Sequence, residues 1–225
     1  MKLHNNHHYT QGGKNIGLNA ELGITTETVT FEHPLDSERV IHFMHDFSHE
    51  LKLLRNHLLD FVTILPCRTK VSKRDLRDLQ KACESEITCG FILEDILLDC
   101  VSSDRQNYKY MIRLLSDLTS ANIYRFFNQN QAKCAFAHFI GLIATVYKIM
   151  SSRIIWNKEN DCWKDALSVN LEKQIAKLNE FIQYVENTEF GPNPNRFQNG
   201  MISTIRCTIS LQKLLASKYN VSVND

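Results

Sequence analysis

The chain is short of the two residues that punctuate a backbone, with 8 glycines and 4 prolines among 225 residues. Many-stranded, tight-turned architectures need more of both, so long helices are expected to outnumber strands. Gly-rich phosphate loops are also missing, which argues against a nucleotide-dependent enzyme. The seven cysteines (Cys67, Cys83, Cys89, Cys100, Cys134, Cys162, Cys207) include no CxxC pair. An odd, scattered set suits free thiols in a reducing cytosol better than a disulfide framework or a zinc site.

Excess charge of either sign is absent, with 26 Lys and Arg against 25 Asp and Glu, a net charge of +1. Neutralising phosphates takes clustered cations and no basic stripe is visible, so nucleic acid is not expected as a partner. The opening MKLHNNHHYTQGGKN has no apolar core, and no secretory signal is expected there. The most apolar run, Cys134 to Met150, falls short of the ~18 residues of a span and is interrupted by His138 and Lys148. The final stretch, Met201 to Tyr219, carries Arg206, Gln212, Lys213 and Lys218. Membrane association is compatible with this chain, but no anchor is visible.

What is present is apolar mass, 43% of residues, arranged periodically. Residues 1–35 are polar and read as a flexible arm closing at His33-Pro34. From Asp36-Ser37, a good N-cap pair, spacing of Ile41, Met44, Phe47, Leu51, Leu54 and Leu58 by three and four predicts a helix running towards Pro66. Ser72 is placed to cap a second helix, reaching Ser102. Tyr108 to Phe127 reads as a third, broken near Thr119-Ser120. Ala132 to Met150 is apolar on most faces and must sit in the middle of a domain. Trp163 to Val185 and Met201 to Tyr219 complete the set. The expected architecture is a single all-α domain over 36–225, a globular helical bundle of amphipathic helices around a central buried apolar helix.

Three motifs stand out. His42, His45 and His49 share one face if the first helix is continuous, and Asp46 or Glu50 could hold the second imidazole nitrogen's proton. Leu79, Ala82, Cys83 and Glu84 set a Leu, a small pair and an acid along one helix. Asn130-Gln131-Ala132-Lys133 opens the buried helix with a cation that the helix dipole does not favour, so a carboxylate partner is expected for Lys133.

In this order the motifs resemble the B-cell-lymphoma-two (Bcl) family of apoptosis regulators. Asp46-Phe47 with Leu51 and Leu53 is similar to that family's first-helix motif, and Leu79, Ala82, Cys83 and Glu84 to its death motif. Asn130-Gln131-Ala132-Lys133 stands where the family has Asn-Trp-Gly-Arg. Leu178-Asn179-Glu180, Val185-Glu186-Asn187 and Phe190 resemble its remaining motif. Glu84, Gln131 and Lys133 depart from the pattern and mark a divergent member. The resemblance implies a Bcl-like fold and a survival factor, not an enzyme, that seats the death-motif helix of a pro-apoptotic partner in an apolar groove. The groove residues implied are Ile87, Phe91, Tyr124, Phe127, Asn130, Lys133, Phe136 and Ile140. No cofactor and no metal are called for; a cytoplasmic location near mitochondria and a homodimer are compatible. The competing reading is a histidine phosphotransferase of a two-component phosphorelay using His45 or His49, because Phe47-Ser48-His49-Glu50-Leu51-Lys52 resembles a phosphoacceptor box.

Overall fold

The structure is a computed structural model, described here for residues 21–86, 93–152, 161–165, 167, 170–192 and 195–219. It opens with a hairpin, β1 (Thr30–His33) antiparallel to β2 (Asp36–His42). Helix α1 (Phe47–Asp60) follows, then a second small hairpin, β3 (Thr63–Ile64) with β4 (Lys70–Val71). Next come α2 (Lys73–Glu84), α3 (Asp95–Leu98), a 3-10 turn (Ser102–Gln106), α4 (Tyr108–Leu114) and α5 (Asp117–Phe127). The chain closes with α6 (Gln131–Ser151), α7 (Leu171–Glu186) and α8 (Asn195–Tyr219).

The purely helical expectation is therefore corrected. Residues 36–42 are a strand and not the start of a helix, because Val40 and Ile41 pair across to Glu32 and Phe31. β-branched and aromatic side chains favour that pairing. The helix begins ten residues later than expected, at Asp46, whose carboxylate accepts the His49 N–H at 3.1 Å. A side-chain acceptor at this position satisfies one of the helix's orphan donors. Part of the expected arm is ordered too: Thr30–His33 is strand and Val29 is buried.

Other boundaries moved for local reasons. Helix α2 stops at Glu84, and a short α3 stands where one long helix was expected. Ser72 does cap α2, with Asp75 returning the bond in a capping box. The break in 108–127 falls at Leu115-Ser116, where Ser116 caps α5 through the Thr119 N–H.

Helix α6 is the centre of the packing. Phe136, Ala137, Phe139, Ile140, Ile143 and Val146 are all essentially inaccessible, and α5 lies along it most closely. Gly141 permits that approach, since a Cβ there would stand 3.0 Å from Ser120 Oγ. Length and composition alone would let α6 cross a membrane, yet half of its most apolar window is buried in the fold, as in a core helix. Helix α1 packs mainly on α8, contributing Leu51, Leu54 and Leu58. The second hairpin is tied far along the chain, since Ile64 exchanges both backbone hydrogen bonds with Glu189 at 2.8 Å.

Candidate functional site

A cavity of about 1270 Å³ opens where the β3–β4 turn faces the α5–α6 junction and the end of α7. Helix α5 ends at Phe127, and a tight turn (Asn130 N–H to Phe127 C=O, 2.8 Å) leads into α6. Asn130 caps α6 through the Lys133 N–H at 3.1 Å. Tyr124, Phe127, Asn130 and Gln131 line one side; Cys67, Thr69, His138 and Tyr184 complete it. Tyr184 lies on the Phe139 ring (centroids 5.3 Å, planes 13° apart), and burial pushes its hydroxyl up to about 12. Ring faces and amide edges thus converge on one opening, groups whose chemistry is stacking and directed hydrogen bonding.

Of the expected groove residues, Tyr124, Phe127 and Asn130 do line this cavity. Phe136 and Ile140 are 1% and 0% exposed and belong to the core. Ile87 and Phe91 lie outside the described residues. Lys133 is committed internally: its ammonium donates to Asp78 Oδ2 at 2.5 Å and stands 4.0 Å from the Phe127 ring centroid. The expected carboxylate exists, but α2 of the same chain supplies it. On α2, Leu79 and Cys83 face the core, Ala82 is half-buried and Glu84 is exposed, the ordinary division of an amphipathic helix.

Sequence reasoning missed Cys67, His138 and Tyr184. They come from three separate elements, joined at the cavity through the Ile64–Glu189 bridge, and no local pattern signals that meeting.

The histidines do not share a helix face. His42 ends β2, His45 lies in the connection, and His49 sits in the first turn of α1. Burial lowers the His45 imidazole, whose ring meets Phe43 edge-on at 5.0 Å. Burial and then Lys52 lower His49, opposed by Asp46. Glu50, 1% exposed, places Oε1 3.9 Å from His45 Nδ1 and leaves Oε2 without a hydrogen-bond partner. Burial first, then Asp46, pushes its carboxyl up to about 8. Beside this cluster, the Tyr108 and Tyr147 hydroxyls meet at a small pocket that also takes in Ser48. Among the described residues no three His, Cys, Asp or Glu side chains converge as metal ligands.

No protein-family profile matches the chain. It is 25% identical over 218 residues to the Transposable element P transposase of Drosophila melanogaster, covering 93% of this chain and 28% of that protein. It also superposes on a chain of the Drosophila P element transposase strand transfer complex with a TM-score of 0.85 at 23% identity, over 93% of this chain and 48% of that one. The chain therefore spans less than a third of the curated relative and about half of the solved one.

These likenesses overturn the Bcl-family reading of fold and function, and the phosphorelay alternative with it. Nearly the whole chain, 93% of it, follows a transposase chain. The expectations of a non-enzyme, of pro-apoptotic partners and of no nucleic acid fall for the same reason, since both similar proteins are transposases and one is solved in a strand transfer complex. The four weak motifs had matched amphipathic periodicity, which many helical proteins share.

Proposed function

We propose that the chain serves DNA transposition, or a process derived from it, as a largely helical DNA-handling part of a P-element-type transposase. The observation that carries this is the agreement of a 25% identical alignment and a 0.85 superposition, each over 93% of the chain. A balanced net charge does not oppose it, because phosphate contacts are made by local cations and not by the total. Many cations are spent internally, as in Lys73 with Asp99 and Arg105 with Asp60. Arg74 and Lys81 are exposed on α2, seven residues apart and so on one face, without an ion pair among the described residues.

Fluorescence anisotropy of the full chain against a branched strand-transfer junction and a linear duplex of the same sequence tests the proposal. Binding that favours the junction and weakens with salt is expected, and the double variant Arg74→Glu/Lys81→Glu should lower the salt slope by about one per lost phosphate contact. Absence of binding to either DNA at low salt overturns the proposal.

A further inference from the structure

The buried acid Glu50 has no counterpart in the functional reading above, and its surroundings point to a use. It stands where three parts of the fold meet: the end of β2, the first turn of α1 and the middle of α8. The connection between β2 and α1 is held to α8 by Thr204, itself 1% exposed, whose Oγ1 accepts the His45 N–H at 2.9 Å and donates to the His45 carbonyl at 3.5 Å. The hairpin is held to the same connection by the Phe43 N–H donating to the Val29 carbonyl at 2.9 Å. Beneath these bonds, Glu50 Oε2 and both ring nitrogens of His42 are buried without hydrogen-bond partners. Buried polar atoms left unmatched mark a place where structure is kept at a cost.

We propose that Glu50 is a proton-operated latch: carried as the neutral acid, it lets the His42–Asp46 connection seat against α8, and release of its proton to solvent loosens that seat and frees the hairpin to move. A carboxylate at this position would face His45 at 3.9 Å, a ring whose burial disfavours the charged form. Asp46, one turn back, repels it. Helix α8 brings Arg206, already shared between Glu27 and Glu186, and the buried Cys207 thiol, which burial holds up to about 11. Helix α4 brings Tyr108, its hydroxyl engaged by Tyr147. Lys52 on α1 acts on His49, and among the described residues no lysine or arginine pairs with Glu50, so the neutral acid is the form that fits.

The sign follows from linkage. Glu50 titrates at about 8 when seated and near 4.5 when released, so the seated form binds the extra proton and is favoured most at low pH. The latch weakens as pH rises towards 8 and then weakens no further. His45 acts in the opposite sense only below its ordinary value of 6.5, where the released form would gain a proton. Of these two groups, Glu50 is the one that sets the slope between about 6.5 and 8.

The test uses the full chain with carboxyl-labelled glutamate. Carbon-13 NMR should show one carboxyl titrating near pH 8. The protection factor of the His45 amide, which donates to Thr204, should fall about tenfold per pH unit between 6.5 and 8 before levelling. Glu50→Gln should remove both signals and leave a flat protection factor, while His49→Gln should leave both in place. A Glu50 carboxyl titrating in the ordinary range overturns the latch in the wild-type protein, whether or not Glu50→Gln folds. Persistence of the slope in a folded Glu50→Gln overturns it equally. Neither readout involves DNA, so failure here is distinct from failure of the transposition reading.

Discussion

Replacing Arg55 by Ala should be among the most damaging single changes this fold can suffer. Arg55 is fully buried in α1 and its guanidinium donates to the Arg105 carbonyl, to the Asn107 carbonyl at 3.3 Å and to Asn56 Oδ1 at 2.8 and 3.2 Å. These bonds pin the 3-10 turn and the cap of α4 to α1 with no carboxylate involved; burial accordingly lowers its basicity. Truncation strands the Arg105 carbonyl, at about 1–3 kcal/mol, leaves the Asn107 carbonyl to the Met111 N–H at 3.4 Å, and opens a cavity of the kind that costs about 2–5 kcal/mol. Partial collapse and water entry overlap these terms, so a net loss of about 3–5 kcal/mol is expected. At ~2–4 °C per kcal/mol for a chain of this size, the Tm should fall by roughly 10 °C. Urea unfolding monitored by circular dichroism measures the loss, and hydrogen exchange should show the amides of 102–107 exchanging first. Arg55→Met, which restores most of the volume, should recover only part of it. A loss under about 1 kcal/mol for Arg55→Ala would refute the reasoning.

Two further changes test other contacts. At Gly191 a Cβ would stand 2.6 Å from Phe61 Cβ, so Gly191→Ala must displace the chain or the ring and should cost about 1–3 kcal/mol, read by chemical denaturation; Phe61→Ala in the same background should relieve part of that loss. Lys133→Glu should destabilise by about 1–2 kcal/mol, because it sets two carboxylates against each other and empties the Phe127 face; Asp78→Lys added to it should restore about half, and equal stability of both variants would dismiss the pair.

Much of the helical body was legible. The apolarity of Ala132 to Met150 on most faces placed α6 at the centre, and Ser72 marked a true helix start, because burial and capping are local needs written locally. The first hairpin was not read. Ile41, Met44, Phe47 and Leu51 keep a helical spacing straight through the His42–Asp46 connection, so periodicity ran on where the backbone turned. Thr30, Phe31, Val40 and Ile41 were the signal, and the cap pair Asp46 and His49 the boundary. Tyr124, Phe127 and Asn130 were expected in a groove through a resemblance that proved wrong, and they line the cavity because they flank the α5–α6 turn. Lys133 was rightly given a carboxylate, yet Asp78 lies 55 residues earlier and nothing in either segment alone joins them.

The contacts between α1 and α8, and the bridge from Ile64 to Glu189, set an order on synthesis. When Ser151 leaves the ribosome, α6 is finished, yet Met201, Ile202 and Ile205, which complete the core, follow roughly 50 residues behind it. At ~5–20 residues per second, the longest apolar helix of the chain waits about 3–10 s with part of its cover missing. The nascent chain therefore passes through a stage in which its own centre is exposed apolar surface, which a chaperone could cover during those seconds.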